Sequence, residues 1–142
     1  MSSRAELVGG ASSDDGLPGQ VDYRLTRNAV LSQLRRGRLS RTDVCDAHPE
    51  LLRVARSLGR PTGEDCPVCE SGPVVHVSYA FGPHLSPGGH PFNETADLAR
   101  LTRRAGQVAC YVVEVCPGCS WNHLVRAFAT GRRRRPAVAS TP

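Results

Sequence analysis

Apolar positions begin to recur only after about residue 20. Between residues 21 and 37, Val21, Leu25, Val30, Leu31 and Leu34 follow a helical rhythm, with Asp22 placed to cap the start and Gly37 to end it. Ser40 with Asp43 three residues later is a capping-box pattern, and predicts a short helix running to Cys45. Pro49 suits the first turn of a third helix, whose apolar face is Leu51, Leu52, Val54, Ala55 and Leu58 and which Gly59 stops. The rhythm then changes. Residues 74–81 are rich in β-branched and aromatic side chains between Pro73 and Gly82, and predict a strand. A Pro/Gly-rich loop at 82–91 leads to a helical pattern at about 93–105 carrying Leu98 and Leu101. Residues 107–115 give the clearest strand, and 121–129 a third.

The flanks have no such periodicity. Residues 1–20, with much Gly, Ser and Asp, read as a disordered leader, and 131–142 as a disordered basic tail. The chain is 39% hydrophobic and 5% aromatic, a thin supply for a core, and small cores of this kind need an added restraint such as a metal or disulfides. All 18 basic residues are Arg. Four of them are consecutive, Arg132, Arg133, Arg134 and Arg135; without these, 14 basic residues face 13 acidic ones, so the net charge of +5 describes the tail. No stretch approaches the roughly 20 apolar residues of a membrane span, and no export signal is recognisable, so the expected location is the cytoplasm. Six cysteines in that setting point to metal or redox chemistry before disulfides.

Four of them form a repeated device: Cys66-Pro67-Val68-Cys69 and Cys116-Pro117-Gly118-Cys119. Two intervening residues let the chain turn tightly enough for both sulfurs to reach one ion, with Zn–S bonds of about 2.3 Å. Pro after the first Cys pre-sets the bend, and Gly118 would accept a positive φ. Each pair adjoins a predicted strand, the layout of a zinc ribbon, although 46 residues separate the pairs and the 93–105 helix must account for the excess. Four thiolates close the sphere of one Zn2+, which makes the site structural and not catalytic. An iron–sulfur cluster and a dithiol redox pair are the alternatives; the second lacks a thioredoxin-like βαβ context.

Other polar residues offer less. Cys45 and His48 can form a second metal-binding pair; otherwise Cys45 packs in the core and His48 caps the helix beginning at Pro49. Cys110 reads as buried filling, and His84 and His90 as loop residues. Trp121 and His123 either stack structurally on the second knuckle or form a partner-binding edge. The third helix, with Arg53 and Arg56, fits a helix-turn-helix-like reader of DNA, and the Arg132–Arg135 run could neutralise phosphates. No nucleophile–base pair, phosphate loop or carboxylate dyad is visible.

The runs Val44-Cys45-Asp46-Ala47-His48-Pro49, Cys66-Pro67-Val68-Cys69, and Tyr111 to Cys116 through Trp121-Asn122-His123-Leu124 resemble an actinobacterial family of small Cys-rich, zinc-ribbon-like proteins of unknown function. The resemblance covers about residues 21–130. It implies a cytoplasmic actinobacterial source and supplies no activity; Cys45 and His48 fall within it and Cys110 does not.

The expectation is therefore an α+β fold: a short-helix bundle at 21–62 packed on a three-stranded antiparallel zinc ribbon at 63–130 with an inserted helix. The expected function is a non-enzymatic zinc-ribbon binding protein of the transcription or translation machinery, meeting RNA polymerase, the ribosome or nucleic acid, with no small-molecule substrate. A thiol-based redox or metal sensor and a protein–protein adaptor stapled by the ribbon are the alternatives.

Overall fold

The computed structural model describes residues 20–131. The elements run β1 (Val21–Asp22), α1 (Arg24–Arg35), α2 (Arg41–Val44), α3 (Pro49–Leu58), β2 (Arg60–Asp65), β3 (Pro73–Phe81), β4 (His90–Phe92), α4 (Thr95–Ala105), β5 (Gln107–Val115) and β6 (Asn122–Gly131). The leader and the Arg132–Arg135 tail predicted from sequence lie outside the described residues.

The helix signals hold, with small shifts. Asp22 accepts the Arg24 amide at 2.8 Å, but the cap residue of α1 is Tyr23. The capping box at Ser40 forms, its amide donating to Asp43 Oδ2 at 2.8 Å. His48 caps α3: its Nδ1 accepts the Glu50 amide at 3.0 Å, with Pro49 in the first turn.

The sheet is larger than the sequence predicts. Among the described residues six strands, not three, pair antiparallel in the order β1-β6-β5-β3-β2, with β4 pairing β3 farther along the edge that β2 occupies. β3, β5 and β6 are the three strands the apolar pattern picks out. The others carry no such signal, because β1 has two residues, β2 is the polar run Arg-Pro-Thr-Gly-Glu-Asp, and β4 contains a proline.

Side-chain alternation gives the sheet two buried faces. On one, Val77, Val113, Val115 and Leu124 meet Leu51, Val54 and Ala55 of α3. On the other, Ala80, Val108 and Cys110 meet Leu101 of α4, while Val74 joins Val30 and Leu31 of α1, Val44 of α2, Cys66, Cys116 and Trp121. The helices thus build their apolar clusters with sheet residues. Among the described residues no helix is long and apolar enough to cross a membrane.

Candidate metal centre

Strand pairing closes the 46-residue gap between the cysteine turns. The first turn joins β2 to β3 and the second joins β5 to β6. Val75 pairs with Val115, so the start of β3 lies beside the end of β5 and both turns emerge at one end of the sheet.

The two turns share a construction. The Glu70 amide donates to Cys66 O at 3.0 Å, and the Ser120 amide to Cys116 O at 2.9 Å. The residue after each second cysteine is left-handed, with φ of 56° at Glu70 and 75° at Ser120. Gly118, which the sequence marks for positive φ, is not among the positive-φ glycines, because the chain reverses one step past the second cysteine. Amides then point at sulfur: Val68 and Cys69 donate to Cys66 Sγ at 3.3 and 3.5 Å, and Ser71 donates to Cys69 Sγ at 3.5 Å.

All four sulfurs lie within 4.8 Å of one another, with Cys66–Cys119 at 3.7 Å and Cys69–Cys116 at 3.8 Å. A tetrahedron with Zn–S bonds of about 2.3 Å has edges of about 3.8 Å, so this donor set fits one tetrahedral metal ion. Electrostatics points the same way. Burial pushes the Cys66 and Cys119 thiols up to about 12, while the Ser71 amide at its sulfur draws Cys69 down to about 7. Four adjacent thiolates, two of them buried, need a cation, and an incoming ion must displace the protons of Cys66 and Cys119. Binding at about pH 7.5 is expected to release roughly two or more protons per zinc, with affinity falling as pH drops, because thiols compete with the metal. Calorimetry in two buffers of different ionisation enthalpy measures this; release below about one proton per ion would contradict it.

The remaining predicted residues separate. Cys45 and His48 do not form a second site, since α2 ends at Val44 and the turn between them hands His48 to the cap of α3. Cys45 goes elsewhere: its thiol donates to Cys119 Sγ at 3.6 Å. Cys110 is buried against Ala80, Leu101 and Val108, and burial pushes its thiol up to about 11. Trp121 and His123 are fully buried and stack on one another at 6.1 Å, so they are interior supports of the knuckle and not an exposed binding edge. His123 Nδ1 lies 2.7 Å from Leu124 O. Arg53 pairs with Glu50 on the exposed side of α3, and Arg56 reaches Pro117 O of the second knuckle at 3.4 Å.

Two residues escape the sequence reading. Arg27 of α1 forks onto Glu114 of β5, Nε to Oε1 at 2.8 Å and Nη2 to Oε2 at 3.0 Å, and the Trp121 indole donates to Glu114 Oε2 at 2.9 Å. The available signal was a single carboxylate inside Tyr-Val-Val-Glu-Val, an otherwise apolar strand that a charge enters only with partners.

Residues 18–141 match the family described as Family of unknown function (DUF5318). The chain is 40% identical over 114 residues to the uncharacterized proteins Rv0049 of Mycobacterium tuberculosis and Mb0050 of Mycobacterium bovis, a span of 80% of this chain and 83% of theirs. These mycobacterial relatives bear out the actinobacterial, unknown-function resemblance read from the sequence. No solved structure matches the chain.

Proposed function

Since this chain belongs to the DUF5318 family of unknown function, we propose that it is a non-enzymatic binding module in which one structural Zn2+ closes a zinc ribbon and nearby arginines hold nucleic acid of the transcription or translation machinery. Two features support the ribbon: paired Cys-x-x-Cys turns at one end of an antiparallel sheet, and sulfur spacings that suit a tetrahedron. A four-thiolate sphere leaves no position for water or substrate, which favours a structural role over a catalytic one.

The observation that carries the binding reading is the turn from α1 to α2. Arg35, Arg36, Arg38 and Arg41 are all exposed within seven residues, and among the described residues none of them pairs with a carboxylate. Arg41 also lines a cleft of about 480 Å³ whose other wall is the two knuckles, including Cys69, Ser71, Pro117 and Gly118. Guanidinium forks bind phosphate oxygens in pairs, and four unpaired ones on a short arc suit a phosphate backbone.

The test is fluorescence anisotropy with labelled single- and double-stranded oligonucleotides over a salt series. Replacing Arg35, Arg36, Arg38 and Arg41 by Glu is expected to weaken binding more than about tenfold and flatten its salt dependence, with the metal retained. Truncation after Gly131 separates the contribution of Arg132–Arg135. Equal affinity in the four-residue variant, or binding indifferent to salt, would overturn the reading.

A further inference from the structure

Five cysteine sulfurs, not four, gather at the metal centre. Cys45 arrives from the N-terminal half and stops against one corner of the cluster, 3.6 Å from Cys119 Sγ. Its position is fixed by the chain around it. The Ala47 amide donates to Ser120 O at 3.1 Å, and Asn122 Nδ2 donates to Asp46 Oδ1 at 2.9 Å and to Ser120 O at 3.3 Å. The segment carrying Cys45 is thereby clamped onto the second knuckle. Both Cys45 and Cys119 are partly open to solvent, whereas Cys66 and Cys116 are buried.

We infer that Cys45 is an oxidation site which, on reaction with a peroxide, forms a disulfide with Cys119 and takes one ligand away from the metal. This rests on the zinc reading of the four-cysteine cluster. A disulfide needs its sulfurs about 2.05 Å apart, so the pair must close by roughly 1.5 Å, within reach of side-chain rotation. One of the two sulfurs attacks a peroxide oxygen, the O–O bond breaks, and a sulfenic acid forms with loss of hydroxide or water. The other sulfur then displaces the sulfenic oxygen as hydroxide and makes the S–S bond. Overall one thiol, one thiolate and one hydrogen peroxide give a disulfide, a water and a hydroxide. The two sulfurs are oxidised and the two peroxide oxygens reduced.

Loss of Cys119 leaves three thiolates on the ion, and a vacancy that lowers its affinity. The same link pulls on α2, a single turn that begins with Arg41 and ends at Val44 with Cys45 as its cap, so oxidation reaches the arginine surface as well.

The experiment uses the full chain, purified reduced, with zinc content measured first. Hydrogen peroxide is added in stoichiometric amounts, while a chromogenic chelator follows zinc release and peptide mass spectrometry with fragmentation locates disulfides. The expected result is a Cys45–Cys119 bridge forming together with zinc release, both reversed by dithiothreitol and resupplied zinc. Cys45→Ser, which keeps the size of a partly exposed side chain, is expected to hold its zinc and release it at least about tenfold more slowly. Release at the wild-type rate from Cys45→Ser and from Cys45→Ala, or disulfides confined to the four knuckle cysteines, would overturn this inference and leave the zinc reading intact. A reduced protein with no metal would overturn both.

Discussion

Stripping the metal is expected to unfold the end of the sheet that carries the knuckles and to release α1 and α2 with it. Cys66 and Cys116 are core residues as well as candidate ligands: they pack with Val30, Leu31, Val44, Val74 and Trp121, so an ion held there and the apolar cluster would stand or fall together. Without a cation, the raised thiols of Cys66 and Cys119 stay protonated, and the attraction that draws two distant turns together is gone. Structural zinc contributes on the order of 10–16 kcal/mol in isolated finger peptides, and a comparable contribution here exceeds the whole net stability of most small domains. Trp121 is the only tryptophan in the chain and is completely buried beside the site. Chelation is therefore expected to shift its fluorescence to the red and lose near-ultraviolet dichroism, with recovery on adding zinc but not magnesium, whose hard ion prefers oxygen ligands. Cys116→Ser is expected to reproduce the chelated state. Unchanged Trp121 emission after complete metal removal would contradict this account.

Glu114→Ala should be the most damaging substitution outside the cysteines, at about 3–5 kcal/mol in denaturant unfolding of the metal-loaded protein. Glu114 is 5% exposed and accepts three hydrogen bonds, two from Arg27 and one from the Trp121 indole. Removing it strands a mostly buried guanidinium and an indole N–H. The cost comes from those orphaned donors, not from any large net value of the ion pair itself. The double variant Arg27→Met with Glu114→Gln is then expected to recover most of the loss, because the amide oxygen still accepts the indole and no charge is left buried. A cost under about 1 kcal/mol for Glu114→Ala, or a double variant no better than the single, would show that the network carries little.

The four-cysteine cluster was legible in the sequence because metal-binding chemistry dictates spacing: two residues between thiolates, twice, each pair beside a strand. The three long strands were legible for a similar reason, since β-branched and aromatic runs have few other uses. The rest depended on pairing that no local pattern records. β2 and β4 are polar or proline-bearing and become strands only because β3 offers them an edge. Cys45 and His48, three residues apart, suggested a shared ligand set, yet the chain breaks between them, and one goes to a knuckle and the other to a helix cap. Trp121 stayed open between stacking and recognition until its partner Glu114 was placed, seven residues earlier in sequence and adjacent in space. Arg35, Arg36, Arg38 and Arg41 were visible as residues, but only the fold shows all four exposed without a carboxylate partner among the described residues, and Arg41 lining the cleft at the cysteine turns.

The most direct test of the central claim is the metal content and coordination of the purified, reduced protein. The account predicts one zinc per chain by elemental analysis. On cobalt substitution it predicts the intense visible bands of a tetrahedral ion and the sulfur-to-metal charge transfer of four thiolates. A protein without metal, or one whose cobalt spectrum shows fewer than four sulfur ligands, would contradict it.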